Sequence, residues 1–174
     1  MLFNIPNSLT WARIALIPFF VGIYYLPDSA ISAEDKNLVA TVTFIAAAVT
    51  DWFDGYLART LGQTSAFGAF LDPVADKLMV AAALIVLVHL GRVDSLIALV
   101  IIGREITISA LREWMAKGGA AGSVAVAFVG KLKTAAQMSA IPLLLYQAPV
   151  LGFDGMALGT VLIYVAAVLT LWSM

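Results

Sequence analysis

A chain of 174 residues that is 62% hydrophobic and 12% charged is too apolar for a water-soluble domain, where the apolar share runs at about 45 to 50%. Its mean hydropathy of +0.98 makes the bilayer its solvent. A net charge of −1 supplies no basic tail or patch, which excludes nucleic acid as a partner. The lack of cysteine removes disulfides, thiolate metal ligands and thiol nucleophiles together.

Met1 to Thr10 carries neither a basic leader region nor an arginine-rich amphipathic stretch, so the first apolar segment is expected to be retained. That segment, Leu9 to Leu26, is close to the roughly 20 apolar residues needed to cross a bilayer. Pro27, Asp28 and the polar run Ser32 to Asn37 end it. A second span begins near Leu38 and runs through Phe44 and Val49 into Asp51. Leu61 to Ser65 reads as a turn. A third span starts around Asp72 and continues to Leu90, and Gly91 to Asp94 forms a polar loop. Ser95 to Met115 is the fourth span, and Lys117 to Gly122 a breaker. Val124 to Tyr146 is the fifth, Ala148 to Gly155 a loop, and Met156 to Trp172 the sixth.

These segments predict an all-α integral membrane protein, a six-transmembrane-helix bundle forming a single domain over residues 1–174. The spans lack the alternation of barrel strands, whose segments are about 10 residues long. Orientation follows from the basic residues. With a cytoplasmic amino terminus, Arg13, Arg59, Lys77, Arg112, Lys117, Lys131 and Lys133 face the cytoplasm, against Lys36 and Arg92 outside. Both termini are then cytoplasmic.

Chemistry concentrates between Asp51 and Asp76. Asp51 and Asp54 share one helical face (i, i+3), as do Asp72 and Asp76 (i, i+4). A short turn between two helices can aim these pairs at each other. Carboxylates gathered in this way repel unless cations neutralise them, and hard oxygen donors select Mg²⁺, Mn²⁺ or Ca²⁺ over zinc. Gly55 and Ala58, one turn beyond Asp51 and Asp54, let a ligand lie against backbone.

The stretch resembles the signature of the CDP-alcohol phosphatidyltransferase family, D-x2-D-G-x2-A-R-x8-G-x3-D-x3-D, with all eight specified residues present across 26 positions. The resemblance implies two divalent cations, Mg²⁺ or Mn²⁺, on Asp51, Asp54, Asp72 and Asp76. It makes Asp76 the general base as well, and lines the cytidine and diphosphate site with Gly55, Ala58, Arg59 and Gly68. It also implies a homodimer.

Pro6-Asn7-Ser8-Leu9-Thr10-Trp11-Ala12-Arg13 is similar to the P-N-x-L-T-x-x-R element of the family's bacterial phosphatidylglycerophosphate synthases. Gly103 to Ile106, and Gly130 to Thr134 followed by Gln137, are similar to other parts of the same group. Asn7, Thr10 and Arg13 are accordingly expected on the donor, CDP-diacylglycerol, with sn-glycerol 3-phosphate as acceptor. The implied setting is the bacterial cytoplasmic membrane, crossed several times, with the active site facing the cytoplasm.

An anionic acceptor beside a lipid diphosphate needs fixed cations, and Arg112, Lys131 and Lys133 are the candidates. Lys131 and Lys133 stand about 200° apart around an ideal helix, so sharing one ligand requires irregularity near Gly130 or a bent side chain. Competing readings are that the lysines snorkel to headgroups, that Arg112 pairs with Glu105, and that Arg13 is an interfacial anchor. The same aspartates also suit inositol phosphate or serine as acceptor. An aspartate-rich prenyltransferase is disfavoured because its acidic motifs lie far apart. An ion transporter is disfavoured because Phe44 to Val49 and Leu78 to Val88 carry no acid.

Overall fold

The computed structural model describes residues 5–60, 66–117, 124–149 and 152–172. The side chains of 5–7, 52, 54–60, 66, 67, 69, 70, 112, 113, 116, 117 and 124–129 lie outside that description. Among the described residues the chain forms six α-helices: α1 Ile5–Gly22, α2 Ala33–Thr60, α3 Ala66–His89, α4 Ser95–Lys117, α5 Val124–Tyr146 and α6 Gly155–Trp172. A 3-10 turn, Ile23–Tyr25, follows α1. The expected turn at 61–65 and most of the breaker after Lys117 fall outside the described residues.

Local signals explain the boundaries. The Ser32 hydroxyl accepts the Asp35 amide at 3.1 Å, so α2 starts at Ala33, five residues before the first apolar position of its span. Asp94 takes the Leu96 amide at 2.8 Å, and Asp154 takes those of Met156 and Ala157 at 2.9 and 3.2 Å, capping α4 and α6. At the end of α3, Gly91 adopts φ +68° while its amide bonds to the Val88 carbonyl and that of Arg92 to Leu87, a Schellman stop. The Arg92 guanidinium then reaches the Leu144 and Leu145 carbonyls at 3.0 and 2.8 Å, putting a cation at the carboxyl end of α5.

The chain divides into two compact units, residues 1–83 and 84–174, and α3 runs from the first into the second. In the first unit α1 packs on α2, and Phe20, Ile23, Ala40, Phe44 and Ala47 are buried. Lys36, expected in an outer loop, is buried instead. Its ammonium donates to the Leu26 carbonyl and the Asp28 carboxylate, both at 2.6 Å, and fastens the start of α2 to the end of the 3-10 turn.

In the second unit α6 packs on α4 and α5, around Ile101, Ile141, Leu144, Ile163 and Ala166. Gly155 and Gly159 form a G-x-x-x-G pair on α6, both buried. A β-carbon at Gly159 would lie 2.8 Å from Leu144 Cγ, so the absence of a side chain there sets the α5–α6 approach. Gly159→Leu is expected to destabilise the detergent-solubilised protein by about 1–3 kcal/mol or more through overpacking. A thermal melt checks this, and an unchanged midpoint would refute the close approach.

Polarity is distributed for lipid. Leu78, Ile85, Leu96, Leu99, Val161 and Val168 point outward, whereas Thr10, Arg13, Arg104, Lys133 and Gln137 are buried. Several hydroxyls along the helices bond to their own backbone, as Thr41 does to Asn37 and Thr43 to Val39. Two helical stretches, Ser8–Tyr25 and Gly155–Trp172, are long and apolar enough to cross a membrane. The other helices carry charged residues along their length.

Candidate active site

In the first unit the aspartate pairs occupy the end of α2 and the first half of α3. Thr10 and Arg13, three residues apart on one face of α1, reach them both. The Thr10 hydroxyl donates to Asp72 Oδ1 and Arg13 Nη1 to Asp51 Oδ1, each at 2.5 Å. One helix therefore holds the leading carboxylate of each pair. Arg13 is 1% exposed, which removes the interfacial-anchor reading. The Asp51 side chain keeps 42% of its surface open. Asp72 and Asp76 are half-buried one turn apart, and Gly68 is buried on the preceding turn of α3. Asn7, Asp54, Gly55, Ala58 and Arg59 fall in helices, but their side chains are outside the described residues.

The second unit carries the candidate acceptor cations. Lys133 is 3% exposed and its ammonium forms an ion pair with Glu105 Oε1, joining α5 to α4. Lys131 is exposed, so the two lysines lie on different faces, as their two-residue spacing requires. The Arg112 side chain is outside the described residues. Arg104 and Gln137 are buried.

Set against known proteins, residues 3–172 match the family model for CDP-alcohol phosphatidyltransferase. The chain belongs to that family. It is 53% identical, over all of its own length and 92% of the relative's, to the CDP-diacylglycerol–glycerol-3-phosphate 3-phosphatidyltransferase of Pectobacterium atrosepticum. The proteins of the same name from Salmonella typhimurium and Escherichia coli K12 are each 51% identical, again over all of this chain and 92% of theirs.

The phosphatidyltransferase family uses divalent cations, and the residues present suit them in donor chemistry. The motif offers only carboxylate oxygens, and Asp51 and Asp72 are each already steadied by a donor from α1. Outer hydrogen bonds of that kind orient metal ligands. Among the described residues no three acidic or histidine side chains converge as a metal-binding group, and the Asp54 side chain lies outside the described residues.

Sequence spacing missed two features. Glu105 is the partner of Lys133, 28 residues away, where the sequence placed it as a possible partner of Arg112. Thr10 and Arg13 bond to the aspartates themselves, 62 and 38 residues along the chain. No local signal announces either contact. The only hint was that buried cations in an apolar chain must find an anion.

Proposed function

We propose that this chain transfers the phosphatidyl group of CDP-diacylglycerol to sn-glycerol 3-phosphate, giving phosphatidylglycerophosphate and CMP. The observation that carries the reading is the hold of α1 on Asp51 and Asp72, which ties the two halves of the family signature to one helix face. The names of the relatives, whose similarity spans this whole chain, support the acceptor.

Asp51, Asp54, Asp72 and Asp76 would hold two Mg²⁺ or Mn²⁺ ions, which when bound neutralise charge on the transferred and departing phosphates. Asp76 accepts the proton of the attacking acceptor hydroxyl. The oxygen of that hydroxyl bonds to the lipid-bearing phosphorus as the bond to CMP breaks, with no covalent enzyme intermediate. Thr10 and Arg13 fix the carboxylates and, with Asn7, Gly55, Ala58, Arg59 and Gly68, form the donor site. Arg112 and Lys133 bind the acceptor phosphate, Lys133 from its pair with Glu105, and Lys131, on another face of α5, joins them by bending its long stem back.

In this reading residues 1–174 act as one domain, six helices span a bacterial cytoplasmic membrane, both termini and the active site face the cytoplasm, and the chain works as a homodimer. The unbroken family match over residues 3–172 supports the single domain. An assay with CDP-diacylglycerol, Mg²⁺ or Mn²⁺ and a panel of alcohols tests the reaction. CMP release should require glycerol 3-phosphate. Release with serine or inositol phosphate in its place would reassign the acceptor, and release with none would defeat the transferase reading.

A further inference from the structure

We infer that Gln137 determines acceptor specificity, its side-chain oxygen accepting a hydrogen bond from the acceptor hydroxyl that does not react; the inference rests on the transferase reading above. Gln137 follows Lys133 by one turn of α5 (i, i+4), so the two share a face. They are 4% and 3% exposed. Lys133 is engaged by Glu105, whereas Gln137 Oε1 is buried and accepts no hydrogen bond among the described residues.

Buried side-chain carbonyls are nearly always paired, because an unpaired one forfeits its hydration without return. Elsewhere on α5 the fold does satisfy its polar groups: the Thr134 hydroxyl bonds to the Gly130 carbonyl at 2.9 Å. Of the buried polar side chains described on this helix, Lys133 is paired and Gln137 is the exception.

The chemistry of the face defines what completes it. An amide oxygen accepts and does not donate, so it selects a hydroxyl over a carbonyl or ether. The ammonium of Lys133 has donors to spare beyond its bond to Glu105 and selects an anion. A turn of helix separates the two groups, roughly 5–6 Å between β-carbons, which matches a phosphate and a hydroxyl carried on a three-carbon chain. Glu105, with 24% of its side chain open, lies at the accessible side of the pair. Sites that hydrogen-bond a substrate hydroxyl reject analogues lacking it, since the buried partner is left unpaired again.

The test compares glycerol 3-phosphate with 3-hydroxypropyl phosphate, the same molecule without its middle hydroxyl, using the full-length protein in detergent with CDP-diacylglycerol. The unmodified protein should prefer glycerol 3-phosphate in kcat/KM by about tenfold or more. Gln137→Met should fold with an undiminished melting temperature, keep its activity on the hydroxypropyl compound and lose most of that preference. Gln137→Glu keeps an accepting oxygen and should retain the ratio even though KM rises for both acceptors.

A ratio unchanged in Gln137→Met overturns the inference and leaves the transferase reading standing. So does a melting temperature several degrees lower, because it would mean that the amide serves the fold. An unmodified protein that uses neither acceptor defeats the underlying reading itself.

Discussion

Asp76→Asn is expected to lower CMP release by about two to four orders of magnitude, the usual contribution of a positioned general base, while the protein still inserts and melts normally. The substitution keeps the shape of the side chain and removes the charge and the proton-accepting capacity. Asp72→Asn should be comparably inactive for a different reason. Its amide oxygen can still accept from Thr10, whose hydroxyl lies 2.5 Å from Asp72 Oδ1, so the tie between α1 and α3 survives while a metal-ligand charge is lost. Turnover measured beside a thermal melt separates chemistry from folding. Near-normal turnover in both variants would remove the base and ligand roles together.

Breaking the Glu105–Lys133 pair should give the largest loss of stability, and the loss should be unequal. Removing one partner of a buried ion pair costs about 3–5 kcal/mol, chiefly because the other charge stays buried. After Glu105→Gln the stranded charge is Lys133, with 4% of its side chain exposed. After Lys133→Met it is Glu105, with 24% exposed and better able to rehydrate. Glu105→Gln should therefore destabilise more than Lys133→Met. The double variant should recover part of the loss, since neither charge is then left alone. Lys133→Met should also raise KM for the acceptor and leave that for the donor in place. Melting temperatures that fall additively would show that the two side chains act separately.

How much of this was legible depended on the range of the interaction. The ends of α5, Val124 and Tyr146, follow from an apolar run between breakers, and the structure has the same ends. The start of α2 was placed too late because Glu34, Asp35, Lys36 and Asn37 look like a loop. The structure shows a capped first turn whose lysine bends back to Leu26 and Asp28. The third span was expected to start around Asp72; α3 instead begins at Ala66 and carries Pro73 inside it.

The aspartate signature was readable because its spacing is local. Which groups steady it was not, because Arg13 and Asp51 are 38 residues apart and nothing in their neighbourhoods names the partner. Gln137 belongs to a sequence pattern on α5, but that its side-chain oxygen has no partner among the described residues emerges only once the surrounding helices are in place.

The contact between Arg13 and Asp51 also bears on biogenesis. The arginine belongs to α1, and the Asp51 carboxylate is synthesised 38 residues later. At about 5–20 residues per second, this leaves a guanidinium without its carboxylate for on the order of 2 to 8 seconds. Arg13 cannot take its final, buried setting against Asp51 during that interval. Until α2 is made that contact cannot form, so the burial of Arg13 is timed by when this carboxylate becomes available as well as by hydrophobicity.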